Sequence, residues 1–240
     1  MEKTKLTTKS IIESTEYKLN MLSETWSDTV IIYISNVQFG EGGSNIERKV
    51  KQTAECEFCM CELVVNDWDR YLTPWKADVN MNGRVFQGQA SELLTDIKSV
   101  ILPKIKEYSS NARIYIAGYS LAGLFALWSI YECNEFAGVA CCSGSLWYPG
   151  WIEYATQHSL KNNISVYLSL GRKEKNTKHY LIKSVEEKTQ QQFELLADEI
   201  YVDAVKMQIH EGGHFNNIEE RMSSGIRWLL EKHSARLEGD

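Results

Sequence analysis

The 240-residue chain lacks several features, and each lack excludes something. It has three prolines, no internal repeat and no low-complexity stretch, so it is neither a solenoid nor a Pro-rich linker. No window approaches the ~18 consecutive apolar residues of a membrane-spanning helix. The first twenty residues, MEKTKLTTKSIIESTEYKLN, hold no apolar core of the kind a secretory signal needs, so the cytoplasm is the expected location. Basic residues are not in excess either. Lys and Arg number 26 against 32 Asp and Glu, for a net charge of −6. Nucleic acid and anionic membrane surfaces are therefore not expected partners, since both select a basic patch.

Six cysteines require a reading. Cys56, Cys59 and Cys61 crowd into ECEFCMCELVV. A zinc site would need a fourth ligand and usually a second pair, and Cys133, Cys141 and Cys142 are not spaced to provide them. Cys59, Cys61, Leu63 and Val65 instead alternate along one face of a strand as small apolar residues. No metal is expected, and a reducing compartment leaves the thiols free.

What is present is the composition of a globular protein, 43% hydrophobic and 24% charged. A chain of this length buries roughly 70–75% of its unfolded surface, enough to carry a pocket on a rigid frame. A single domain over residues 1–240 is expected. Strand-like runs occur at 28–35, 61–66, 112–118, 136–143, 164–171 and 204–210. Several are apolar without alternation, as in parallel strands covered on both faces.

Helical spacing fills the intervals. It joins Leu93, Leu94, Ile97, Val100, Ile101 and Ile105, with Pro103 predicting a kink or stop. It recurs in LAGLFALWSIYE after Ser120, around Leu181, Val185, Phe193 and Leu196, and through Ile218, Met222, Ile226 and Leu229. Asn217 is the expected cap of the last helix, with Glu220 three residues on. Strands alternating with helices predict an α/β fold: a mostly parallel central sheet with helices on both faces. Ligands of such sheets gather at the carboxyl ends of the strands.

One strand end holds Gly118-Tyr119-Ser120-Leu121-Ala122-Gly123. This is the nucleophile-elbow pattern, with alanine in place of the second glycine. A sharp strand-to-helix turn projects the serine hydroxyl and presses the residues two before and two after it together, so both must be small. Gly118 and Ala122 meet that demand. The alternative is a serine that merely caps the following helix.

A nucleophilic serine needs a base and the base an orienting acid, here in the chain order serine, acid, histidine. His214, in QIHEGGHFNN, lies on a glycine-flanked loop after the last strand and is preferred to His210 at the strand's end. His158, His179 and His233 read as surface residues. Glu174 is the first carboxylate after strand 164–171 and is the expected acid, against the alternative of an exposed charge in RKEKNTKH. The Leu121 N–H is one expected oxyanion donor, and Asn36 or Val37, after strand 28–35, the other. Trp147, Tyr148 and Trp151 follow strand 136–143, and Trp68 and Trp75 follow strand 61–66. Aromatic rings there line a substrate pocket or pack as core. No long insertion reads as a lid, so an open site is expected.

Four segments, GYSLAGLFALW, CCSGSLWYPGW, YLSLGRKE and EGGHFNNIEERMSSGIRWLL, resemble the esterase branch of the α/β-hydrolases. That branch includes enterochelin-esterase-like and S-formylglutathione-hydrolase-like proteins. The resemblance spans roughly residues 28–232. It implies serine hydrolase chemistry on a small-molecule ester or thioester, with nucleophile Ser120, base His214, acid Glu174 and oxyanion donor Leu121, and without a cofactor. The chain departs from many relatives in reading Ser35-Asn36 where they have His-Gly, and in using glutamate where aspartate is common. A non-catalytic binding protein of the same fold and a peptidase are the competing readings, and a homo-oligomer is allowed.

Overall fold

The computed structural model describes residues 9–36, 42–81 and 83–237. The sheet is built around the chain's most apolar runs. Strands β3 (Thr29–Ser35), β7 (Arg113–Tyr119), β8 (Phe136–Cys142) and β9 (Ile164–Gly171) are almost wholly buried. With β4 (Cys59–Val65) and β10 (Val202–His210) they pair in parallel, in the order β4-β3-β7-β8-β9-β10. Two further strands, β1 (Lys9–Glu13) and β2 (Tyr17–Met21), extend the sheet antiparallel beyond β4 to eight strands. A separate hairpin, β5 (Lys76–Met81) and β6 (Arg84–Gln87), stands beside it.

Strand side chains alternate between faces, and the two faces feed two cores. Val30, Ile32 and Ile34 of β3 join one apolar cluster, Ile31 and Tyr33 the other. Helices α1 (Gly42–Lys51) and α9 (Ile218–Leu237) cover the second face. The first is covered by α3 (Ala90–Asp96), α4 (Leu102–Tyr108), α5 (Leu121–Glu132), α6 (Trp151–Gln157) and α8 (Val185–Ala197), with short α2 (Trp68–Tyr71) and α7 (Tyr180–Lys183) between them. Residues 121–131 of α5 are all buried, which accounts for the absence of a polar stripe in LAGLFALWSIY. Cys59 and Cys61 lie with Leu63 and Val65 in the first core, as the alternation predicts.

The six expected strands are present within two residues of their predicted limits. The antiparallel pair β1–β2 and the hairpin β5–β6 are additions. Pro103 does not stop the helix: the helical run continues from Ala90 through a wider π-helical segment at Ile97–Ile101 to Tyr108, and the prolyl nitrogen, which cannot donate, follows that segment closely. The third helical pattern is broken at Ser184 between α7 and α8. Asn217 precedes α9 with a positive φ of 55°, and its carbonyl accepts the first bond from the Arg221 N–H. Among the described residues no helix is long and apolar enough to cross a membrane.

Two histidines read as surface are not. His179 is half-buried, with Nε2 3.2 Å from the Val79 carbonyl. His233 is buried, because α9 lies across the sheet and carries it inward. Its Nε2 is 2.9 Å from Thr29 Oγ1 and its Nδ1 3.1 Å from the Tyr115 hydroxyl. Burial, and secondarily the Arg113 charge, lower the His233 pKa. The unfolded chain therefore binds this proton more readily than the folded one. The stability that neutral His233 contributes is full above the ordinary value of ~6.5 and declines as pH falls below it. Denaturant titrations about one unit above and one unit below that value should show a smaller pH-dependent loss for His233→Gln than for the parent. Equal losses would contradict the assignment.

Candidate active site

The turn between β7 and α5 is tight. Ser120 has φ 60° and ψ −121°, a conformation that L-residues rarely adopt. The strand end and the helix start press together there. A β-carbon on Gly118 would lie 2.2 Å from the Ala122 carbonyl oxygen. One on Gly123 would lie 3.0 Å from Gly144 Cα. The smallness of these residues is thus a steric requirement, and it sets the Ser120 hydroxyl at the rim of a cavity.

His214 comes to that hydroxyl from the loop after β10. Its Nε2 is 3.0 Å from Ser120 Oγ, and its Nδ1 is 2.8 Å from Glu174 Oε2. A carboxylate can only accept, so Nδ1 carries the proton and Nε2 is left to accept from the serine. Glu174, in the loop after β9, is 7% exposed. Its second oxygen, Oε1, accepts from Ser143 Oγ at 2.8 Å, the Gly171 N–H at 2.6 Å and Arg221 Nη1 at 2.8 Å. Burial alone would raise the Glu174 pKa. The bonds and charge shared with His214, Ser143 and Gly171 outweigh it and hold the group below its ordinary value. His210, the alternative base, ends β10 with Nε2 3.3 Å from the Tyr167 hydroxyl and does not line the cavity.

Such a chain of groups can move a proton from the serine to the imidazole and stabilise the resulting imidazolium. Leu121 opens α5 and lines the cavity, and first-turn N–H groups have no partner within a helix. Asn36 directly follows β3, half-buried and off the cavity wall. Val37 lies outside the described residues.

The cavity has a volume of about 580 Å³. Of the aromatic candidates, Trp147 and Trp68 line it. Tyr148, Trp151 and Trp75 do not. Trp151 is fully buried against Tyr131 and Tyr154, and the Tyr148 hydroxyl donates to the Trp75 carbonyl at 2.5 Å. Trp75 Nε1 in turn donates to the Pro149 carbonyl at 2.8 Å. These three pin the 145–151 turn onto the core instead of facing a ligand, because the turn before α6 folds back over α5.

Their place on the wall is taken by residues not predicted from the sequence. Phe86 and Arg84, from the β5–β6 hairpin, and Phe215, 85% exposed beside His214, complete it. Ser145 Oγ lies 3.4 Å from Ser120 Oγ. Arg221 is the largest omission: fully buried, and in contact with Glu174, Ser143 and Tyr119. A signal for it existed. Arg221 sits three residues after Ile218 and next to Met222, on the apolar face of α9, where a charge has no solvent to face.

With this geometry in hand, the chain can be compared with known proteins. No family model matches it, and no curated protein matches it in sequence. Solved structures do match. The siderophore hydrolase EstA from Aspergillus nidulans is 16% identical, with 94% of each chain covered and a TM-score of 0.72. EstB from the same organism is 15% identical over 96% of this chain and 97% of its own, also at 0.72. An IroE-like serine hydrolase from Shewanella oneidensis is 16% identical over 90% of this chain and 75% of its own, again at 0.72. The chain has the α/β-hydrolase fold. At these identities the likeness concerns the fold, and the chemistry has to be argued from this chain's residues.

The steric argument at the α/β-hydrolase turn has a direct test. Gly118→Ala puts a methyl group into the backbone carbonyl of Ala122, which cannot move aside cheaply. The expected cost is about 3 kcal/mol of stability. A variant that unfolds at the parent's denaturant midpoint would refute the close approach.

Proposed function

We propose that the protein is a serine hydrolase that cleaves carboxylic esters or thioesters of small soluble substrates. The observation that carries this reading is the unbroken chain from Ser120 Oγ through His214 to Glu174, at 3.0 and 2.8 Å, opening into a cavity. Structures of the same fold described as siderophore hydrolases and as a serine hydrolase support the reaction class. A siderophore ester is accordingly one substrate to try.

In this reading Ser120 Oγ attacks the substrate carbonyl carbon as its proton passes to His214 Nε2. Glu174, ionised and hydrogen-bonded to Nδ1, stabilises the imidazolium. The tetrahedral oxyanion is held by the Leu121 N–H and by a second donor from the chain after β3, at Asn36 or Val37. Loss of one such donor costs about 10²–10³ in rate. The bond to the leaving alcohol or thiol breaks as His214 returns the proton to it. Water, deprotonated by His214, then attacks the acyl-enzyme, releases the acid and restores Ser120. Trp147, with Trp68 and Phe86, gives the substrate an aromatic wall. The reaction needs no metal or organic cofactor.

Intact-mass labelling with a fluorophosphonate tests the assignment. One adduct on the parent protein and none on Ser120→Ala is the expected result. A folded parent that takes no adduct would sink the hydrolase reading and favour a non-catalytic binding protein.

A further inference from the structure

Arg221 has no part in the scheme above, yet its guanidinium is fully buried against the acid. We propose that Arg221 is a positioning residue: it fixes the Glu174 carboxylate and the 211–214 loop together, so that His214 stays in line between Glu174 and Ser120. This inference rests on Ser120, His214 and Glu174 being the reacting groups.

The sheet order creates the need. Ser120 follows β7, Glu174 follows β9 and His214 follows β10, at the edge. The histidine must reach back past two strands to meet the serine, on a loop with two glycines. Gly212, with φ +95°, adopts a conformation that L side chains rarely take, so the course of the loop depends on glycine. Something must hold it.

The guanidinium does so at both ends. Arg221 Nη2 donates to the Glu211 carbonyl at 3.2 Å and the Gly213 carbonyl at 2.9 Å. Nη1 reaches Glu174 Oε1 at 2.8 Å, Ser143 Oγ at 2.9 Å and the Tyr119 hydroxyl at 2.9 Å. Tyr119, whose pKa burial pushes up to about 12, keeps its proton and donates it to the His214 carbonyl at 2.6 Å. Arg221, Ser143 and the Gly171 N–H together saturate Oε1, which leaves Oε2 for the imidazole. Only the planar fork of arginine serves these directions at once, and a lysine ammonium would be a single point. The remaining donor, Arg221 Nε, is buried with no hydrogen-bond partner among the described residues. The orientation is thus set by the forked end, at the expense of the third N–H.

The test compares parent, Arg221→Lys, Arg221→Met and Ser143→Ala in fluorophosphonate inactivation and in ester turnover, with kcat, KM and the folded fraction measured for each. Arg221→Met should react roughly 10–100-fold more slowly, by analogy with the loss of the outer partners that orient metal-bound histidines. The loss should fall on kcat, with KM within about twofold of the parent, since the guanidinium lies behind the acid and not on the substrate side. Arg221→Lys keeps the cation and loses the fork, so it should lose rate as well, with KM likewise near the parent's. If Arg221→Met does not fold, the Lys and Ser143→Ala variants carry the test, Ser143→Ala with a smaller loss of rate. Folded variants with the parent's rate would overturn the proposal, as would losses that only track the unfolded fraction. A parent inert to the reagent would overturn it together with the hydrolase reading, whereas a reactive parent with indifferent variants would overturn it alone.

Discussion

A carboxylate buried beneath the cavity is the constraint around which the site is arranged. Glu174 is almost out of water, and an unpartnered charge there would protonate or pull the loop open. It is instead met by a cation, a hydroxyl, a backbone N–H and an imidazole, one from each of four segments. Because those partners come from α9, the loop after β8, the end of β9 and the loop after β10, satisfying the charge and assembling the site are the same event. The pair with Arg221 is poor grounds for claiming stability, since its desolvation opposes its attraction. It is better understood as a device that selects one arrangement of loops.

That arrangement depends in turn on the sheet. Strands β7, β8, β9 and β10 lie side by side, so their carboxyl ends present Ser120, Ser143, Glu174 and His214 along one edge. At the near end the chain is forced into a tight turn by the contact of Gly118 with Ala122, which no side chain can adjust. At the far end the loop is held by hydrogen bonds. The Ser120 position is therefore set by sterics and the His214 position by electrostatics.

The contrast explains what could be read from the chain beforehand. Sterics at a turn leave a local trace: small residues at fixed offsets around Ser120. Buried parallel strands also leave one, as unbroken runs such as TVIIYIS. The strands β1, β2, β5 and β6 leave little, because each is four to six residues long and none is buried along its whole length. Their identity is fixed by what they pair with. Likewise Tyr148, Trp151 and Trp75 look the same in sequence as Trp147. Only the fold of the 145–151 turn over α5 decides that one faces the cavity and the others the core.

His233 and Arg221 show the remaining difficulty from two sides. Both are polar residues on α9 that pair with groups far away in the chain: His233 with β3 and β7, 204 and 118 positions earlier, and Arg221 with the loop after β9, 47 positions earlier. A helical pattern identifies the apolar face they share, and their presence on it departs from that pattern. A buried polar residue is admitted only where a partner satisfies it, so each departure implies a partner without naming it. For His233 the partners are two hydroxyls and the consequence is a titration of stability. For Arg221 the partner is the acid of the proposed site. An ionised residue on the apolar face of the helix that closes the sheet is therefore a sequence-level pointer to a buried opposite charge, and in this chain that charge lies next to the histidine.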